Sequence, residues 1–225
     1  VADPRRTSEQ RQHQPADAVH VRVRQLEVEQ LPQFVDAHGA GHAQAKNLIL
    51  FVGDGMSLTT VAAARILEGQ RKGQPGEENK LSFENFPWTA LSRTYNTDSQ
   101  TPDSAGTMSA MITGSKTRMG VLSVAQSAGR GDCASANGAE LPTLLEVAEA
   151  AGLATGVVTT TRITHATPAA TYAHASNRDW ENDAELSSSA RAAGCKDIAR
   201  QFLEAAVGEG LVVAMGGGRG NFQPS

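Results

Sequence analysis

Asn47-Leu48-Ile49-Leu50-Phe51-Val52-Gly53-Asp54-Gly55-Met56 is the stretch on which the fold is read. From Leu48 to Val52 the run is apolar without alternation, which fits a strand covered on both faces, as in a parallel sheet. Glycines then punctuate the chain on both sides of Asp54. Asp54 falls at the carboxyl end of the expected strand, where the crevice of an open α/β sheet lies. A carboxylate there suits a hard or borderline metal ion. It suits a turn or a helix cap as well, since glycine neighbours favour both.

Outward from this run, strand and helix patterns alternate. Residues 58–67 have helical spacing, and 69–80 read as a surface loop rich in Gly, Lys and Gln. Residues 89–95 can form a strand and 105–113 a helix. A helix is expected over 142–150, with Pro142 near its start and Gly152 past its end. Strands follow at 156–160 and 211–215, with a helix at 196–206 between them. The pattern predicts an α/β fold: a largely parallel central sheet with helices on both faces. Such a sheet gathers the segments that follow its strands at one edge.

Residues 1–45 differ. They are rich in Gln, Arg, His and Val; Val19, Val21 and Val23 alternate, as do Leu26 and Val28 on a shifted phase, which permits a short exposed strand. They are expected to form an N-terminal arm or poorly ordered leader ahead of the strand–helix alternation over 46–225. The 225 residues can bury a sizeable core. With 40% hydrophobic and only 4% aromatic residues, that core should be aliphatic and rich in alanine. A net charge of −4 without charge blocks argues against nucleic acid as a specific partner. No apolar stretch reaches the length of a transmembrane helix. Cys133 and Cys195 permit one disulfide, and composition alone leaves free thiols equally open.

A second run, Thr101-Pro102-Asp103-Ser104-Ala105-Gly106-Thr107-Met108-Ser109-Ala110, sets a serine at the expected start of a helix. Ser104 is read as the N-cap. The first N–H groups of a helix favour an anion, so the local physics presents a hydroxyl to a phosphate-like group. A plain capping serine accounts for the same residues. A third run extends from Thr159-Thr160-Thr161-Arg162-Ile163-Thr164-His165-Ala166-Thr167-Pro168 through His174 to Asn177-Arg178. Arg130-Gly131-Asp132 matches an adhesion tripeptide, of a kind that occurs by chance.

These three runs, with Gly216-Gly217-Gly218-Arg219, stand in the order and at about the spacing of the alkaline phosphatases. The chain resembles that metal-dependent, serine-nucleophile family, closest to its animal and marine-bacterial branch, over residues 46–225. Four ordered motifs are far more specific than one. The resemblance implies hydrolysis of small phosphate monoesters through a phosphoserine on Ser104, at a site of two zinc ions and one magnesium (Zn2+ and Mg2+). It implies that Ser104 also contacts zinc and that Asp54 bridges a zinc and the magnesium. Thr167 would be a hydroxyl ligand of the magnesium, and His165 would act on it through water. Arg178 would grip two phosphate oxygens, held by Asp103; a guanidinium fork suits that task where lysine does not. Taken alone, Thr167 could be a helix cap, His165 a structural histidine, and Arg178 a surface residue paired with Asp179 or Glu181. His174 lies in the same stretch and takes no catalytic role.

The resemblance further implies a Cys133–Cys195 disulfide, closing a loop of about 60 residues worth nominally ~4 kcal/mol. That points to a periplasmic or secreted protein, and to a homodimer when complete. Met108 and Ser109 depart from the family pattern, although Ser109 keeps a hydroxyl. The family's remaining zinc ligands, and a glutamate of the magnesium site, lie beyond Ser225. The histidines here are His13, His20, His38, His42, His165 and His174, and none before residue 45 fits a ligand position. The chain is thus expected to be the N-terminal part of such an enzyme, with an incomplete sheet. An inactive fragment or binding remnant is the alternative. A haloacid-dehalogenase-type phosphatase needs a D-x-D turn, which is absent, and an α/β-hydrolase needs G-x-S-x-G, which Ser104 lacks. A sulfatase or mutase relative is closer in fold, but residues 103–107 favour the phosphatase.

Overall fold

The structure is a computed structural model that describes residues 47–204 and 210–223. The expected arm over 1–45 lies outside the described residues. Helix α1 (Leu58–Arg71) starts at Ser57, whose hydroxyl accepts from the Thr60 amide at 3.3 Å. Helix α2 (Ser104–Thr113) is capped by Asp103 and ends on Gly114. A short α3 (Cys133–Ala136) follows, then α4 (Leu144–Ala150), where Thr143 and Glu146 form a reciprocal capping box. Strand β1 (Gly156–Arg162) leads into the short α5 (Ala166–Ala169). Helices α6 (Ser188–Ala192) and α7 (Ile198–Leu203) precede strand β2 (Val213–Gly217) and a 3-10 turn over Arg219–Phe222.

β1 and β2 pair in parallel, Gly156 opposite Val213 and Val158 opposite Met215, with a bulge before Arg162 meets Gly217. A parallel pair requires a crossover, supplied here by residues 163–212 with their helices. The main core lies between α2, α5 and the turn around Leu122. It holds Ala105, Met108, Ile112, Leu122, Ile163, Ala169, Tyr172 and Ile198. Apart from Tyr172 it is aliphatic and alanine-rich, as composition implies. Met108 lies in it, so this departure from the family pattern is a packing residue. A second cluster joins Trp180, Leu186, Ala190 and Cys195, with Cys133 against it. Cys133 and Cys195 are disulfide-bonded, their Cα atoms 5.9 Å apart.

Two expected strands are absent as strands. Residues 47–52 have no strand partner among the described residues, and Ile49 and Phe51 are 75% and 85% exposed. An unalternating apolar run makes a doubly buried strand only where a neighbour pairs it, and among the described residues β1 pairs with β2 alone. Residues 89–95 are irregular, and Lys116 takes two of their carbonyls. Its Nζ donates to Arg93 O at 2.9 Å and Tyr95 O at 2.8 Å, and sits 4.0 Å over the Tyr95 ring. The third difference is the cap of α2. Asp103, rather than Ser104, accepts from the Gly106 amide, so the helix begins one residue earlier and includes Ser104.

Candidate active site

Asp54 sits in a tight turn closed by the Met56 amide on Gly53 O. Ser104 is the first residue of α2 and Thr167 lies in α5. The fold brings these three together. Ser104 Oγ is 3.0 and 3.1 Å from the two Asp54 carboxylate oxygens, and Thr167 Oγ1 donates to Asp54 Oδ2 at 2.9 Å. Asp54 therefore caps no helix; that task falls to Ser57 at α1. Thr167 is no cap either, since its hydroxyl turns to Asp54.

Beside them lies a guanidinium held on one side by a carboxylate. Arg178 Nη1 donates to Asp103 Oδ2 at 3.1 Å, and Nη2 lies 3.2 Å from His165 Nε2. Asp179 pairs with Arg130 and Glu181 with Arg162, so neither competes for Arg178. Asp103 also accepts from Asn96 Nδ2 and from the Gly106 and Gly120 amides. Burial alone would raise its carboxyl pKa, but these hydrogen bonds together hold it below the ordinary value. Asp103 thus stays ionised and keeps Arg178 oriented. His165 moves the same way for another reason: burial, then the Arg178 charge, lower its pKa, so it is neutral at and above neutral pH. Its Nδ1 is buried without a hydrogen-bond partner.

Gly120 joins the two halves of this clamp. Its N–H donates to Asp103 Oδ2 at 3.1 Å and its C=O accepts from the Arg178 amide at 2.9 Å. Its φ of +78° is in the left-handed region, and a Cβ there would stand 2.6 Å from Arg130 Nε. Gly120 and Asn96 were not legible as site residues; the glycine shows only as turn punctuation, and Asn96 carries no motif signal.

Arg130, Gly131 and Asp132 are engaged in structure. Arg130 pairs with Asp179, the Gly131 amide donates to Ser176 O, and Asp132 caps α3. His174 is a structural pair member: Nε2 lies 2.8 Å from Glu146 Oε1 and Nδ1 2.8 Å from Ser123 O.

The donors around Asp54 are hard and rich in oxygen, which suits a divalent cation. Among the described residues no three His, Cys, Asp or Glu side chains converge, so they fit part of a coordination shell and not a closed zinc site. The arrangement can present a hydroxyl, bind an anion through Arg178, and contribute oxygen ligands.

A family profile described as alkaline phosphatase matches residues 45–225. Alkaline phosphatase of Gadus morhua is 50% identical over 181 residues, covering 80% of this chain and 38% of the relative. The tissue-nonspecific isozyme of alkaline phosphatase from Homo sapiens is 48% identical over 180 residues, covering 80% of this chain and 34% of the relative. Among solved structures, cold-active alkaline phosphatase from the psychrophile Shewanella sp. aligns with a TM-score of 0.54 at 28% identity. It covers 76% of this chain and 36% of that one. The chain therefore shares that α/β fold in part, and spans little more than a third of these relatives.

Proposed function

The chain belongs to the alkaline phosphatase family, and on that premise we propose that the complete protein hydrolyses small phosphate monoesters through a phosphoserine on Ser104. The observation that carries this reading is the meeting of Ser104, Asp54 and Thr167, which are 50 and 113 residues apart in pairs yet within hydrogen-bond reach. Ser104 Oγ attacks phosphorus: the Oγ–P bond forms as the ester P–O bond breaks. The serine proton passes to solvent water, which supplies the proton taken up by the departing alkoxide, while the hydrogen bond to Asp54 orients the hydroxyl. Water then cleaves the Oγ–P bond, restoring the hydroxyl and releasing inorganic phosphate. Arg178 binds the non-bridging oxygens, since each terminal nitrogen keeps a second hydrogen beyond its present contact. Asp103 holds that fork in place.

Asp54, Ser104 and Thr167, with His165 acting through water, would hold part of a zinc and magnesium site. Divalent cations bound there lower the pKa of a coordinated hydroxyl or water and neutralise phosphate charge. The Cys133–Cys195 bond supports an oxidising compartment, so the protein is proposed to be periplasmic or secreted, and by family likeness a homodimer.

The test is hydrolysis of p-nitrophenyl phosphate by the complete protein and its Ser104→Ala variant. The expected result is a loss of about 10³-fold or more, as for removed nucleophiles, with most of the bound metal retained by the other ligands. Undiminished turnover by Ser104→Ala would refute the nucleophile assignment.

A further inference from the structure

The end of β2 brings a distant side chain to the edge of the site. Gly217 O accepts from the Ile163 amide at 3.1 Å. Gly218 has a φ of +89°, and a Cβ on it would stand 2.8 Å from Arg162 Cβ. Only glycine lets the chain pass this close and turn into the 3-10 segment Arg219–Phe222. That segment carries Asn221. Its Nδ2 donates to Thr164 Oγ1 at 2.6 Å and to Glu181 Oε2 at 2.9 Å, while its Oδ1 accepts from Asn182 Nδ2. Thr164, fully buried, donates to the same Glu181 Oε2 at 2.7 Å. Arg162 closes the set on Glu181 through Nε and Nη2.

Thr164 directly precedes His165 and lies three residues before Thr167. Glu181 lies three residues after Arg178. We infer that Thr164, Glu181 and Asn221 are positioning residues, locking the turn that bears His165 and Thr167 to the segment that bears Arg178. This rests on the phosphatase reading above and extends it to a group that touches neither substrate nor metal. Phe222 anchors the far end of the device, its ring 5.6 Å from Phe202 in an edge contact. The Gly216-Gly217-Gly218 run is then a delivery device for Asn221. The physical warrant is that a fork and its partner ligands act together only when their spacing is fixed; small displacements cost large factors in rate.

The test compares Thr164→Val, Thr164→Ser and Asn221→Ala in the complete protein, by inhibition with inorganic phosphate, kcat and KM, and thermal unfolding. Val keeps the shape and loses the hydroxyl; Ser keeps the hydroxyl. Thr164→Val and Asn221→Ala are expected to weaken phosphate inhibition about 10-fold, with Thr164→Ser near the parent. Should Thr164→Val fail to fold, the partly exposed Asn221 carries the comparison. Lowered unfolding temperatures with unchanged phosphate inhibition overturn the inference and leave only a structural role. A serine variant no better than valine overturns it too. A parent with no phosphomonoesterase activity refutes the functional reading itself, and this inference falls with it.

Discussion

The corner between α2 and α5 and the sheet β1–β2 are built from similar apolar residues to opposite ends. At the corner, Ala105, Leu122 and Ile198 are wholly buried, and the buried hydroxyls are largely satisfied. Ser109 Oγ donates to Ala105 O and accepts from the Ser123 amide; Thr143 Oγ1 donates to Thr171 O. In the sheet, Val158 is 73% and Met215 61% exposed, and Leu48, Ile49 and Phe51 lie open nearby in sequence to Asp54. The contrast teaches which part of the fold closes on itself. The corner that orients Asp103, Ser104 and Arg178 is internally complete, whereas the sheet shows apolar faces of the kind that a further layer covers.

Four substitutions break or sharpen this contrast. The largest effect belongs to the clamp. Arg178→Ala in the complete protein should weaken inhibition by inorganic phosphate about 10³-fold, the worth of two charge-assisted hydrogen bonds. Unchanged inhibition would remove Arg178 from the site. Next comes the packed corner: Leu122→Ala should cost about 3 kcal/mol in denaturant unfolding, because its cavity has no room to collapse. A cost below about 1 kcal/mol would mean that the corner is loosely packed.

The third effect is smaller and depends on pH. Burial works to lower the His174 pKa, but its hydrogen bond and charge interaction with Glu146 raise it above the ordinary 6.5. Burial works to raise Glu146, but the same pairing holds it below its ordinary 4.5. The histidine's contribution is full below 6.5 and is lost as pH rises through its raised pKa. The glutamate's is present above 4.5 and is lost as pH falls through its lowered pKa. The ionic pair therefore stabilises most between those values. Glu146→Gln should cost about 2 kcal/mol at pH ~5.5 and clearly less at pH ~9, read as the difference in unfolding free energy. An equal cost at both would show that His174 is neutral throughout. The smallest effect is on the open sheet. Met215→Gln in the 225-residue chain should change stability by no more than about 0.5 kcal/mol. A large loss there would contradict the exposure of β2.

What sequence made legible follows the same division. The α/β class, both paired strands and the main helices were readable because their patterns are local, as where Pro142 near the start and Gly152 past the end bracket α4. Ser104, Asp54, Thr167, His165 and Arg178 were picked out by motif order; the fold hydrogen-bonds Ser104 and Thr167 to Asp54, and Arg178 to His165. The strand at 48–52 was misread because burial on two faces depends on neighbours, and no local pattern encodes a neighbour. The α2 cap went to Asp103 because Asp and Ser compete for it, and only Asp reaches the Gly106 amide while holding Arg178. Gly120 and the Thr164–Glu181–Asn221 set were invisible because their partners lie far along the chain, Asn221 being 57 residues from Thr164; Asn96, 7 residues from its partner Asp103, carries no motif signal.

The central claim is tested most directly by locating the covalent phosphate. The complete protein is incubated with inorganic phosphate, quenched in acid and digested, and the phosphopeptides are identified by mass spectrometry. The account predicts one phosphorylated site, Ser104, in the peptide bearing Asp103 and Gly106, and its disappearance in Ser104→Ala. Phosphate on another residue, or the same phosphopeptide yield from the alanine variant, would contradict it.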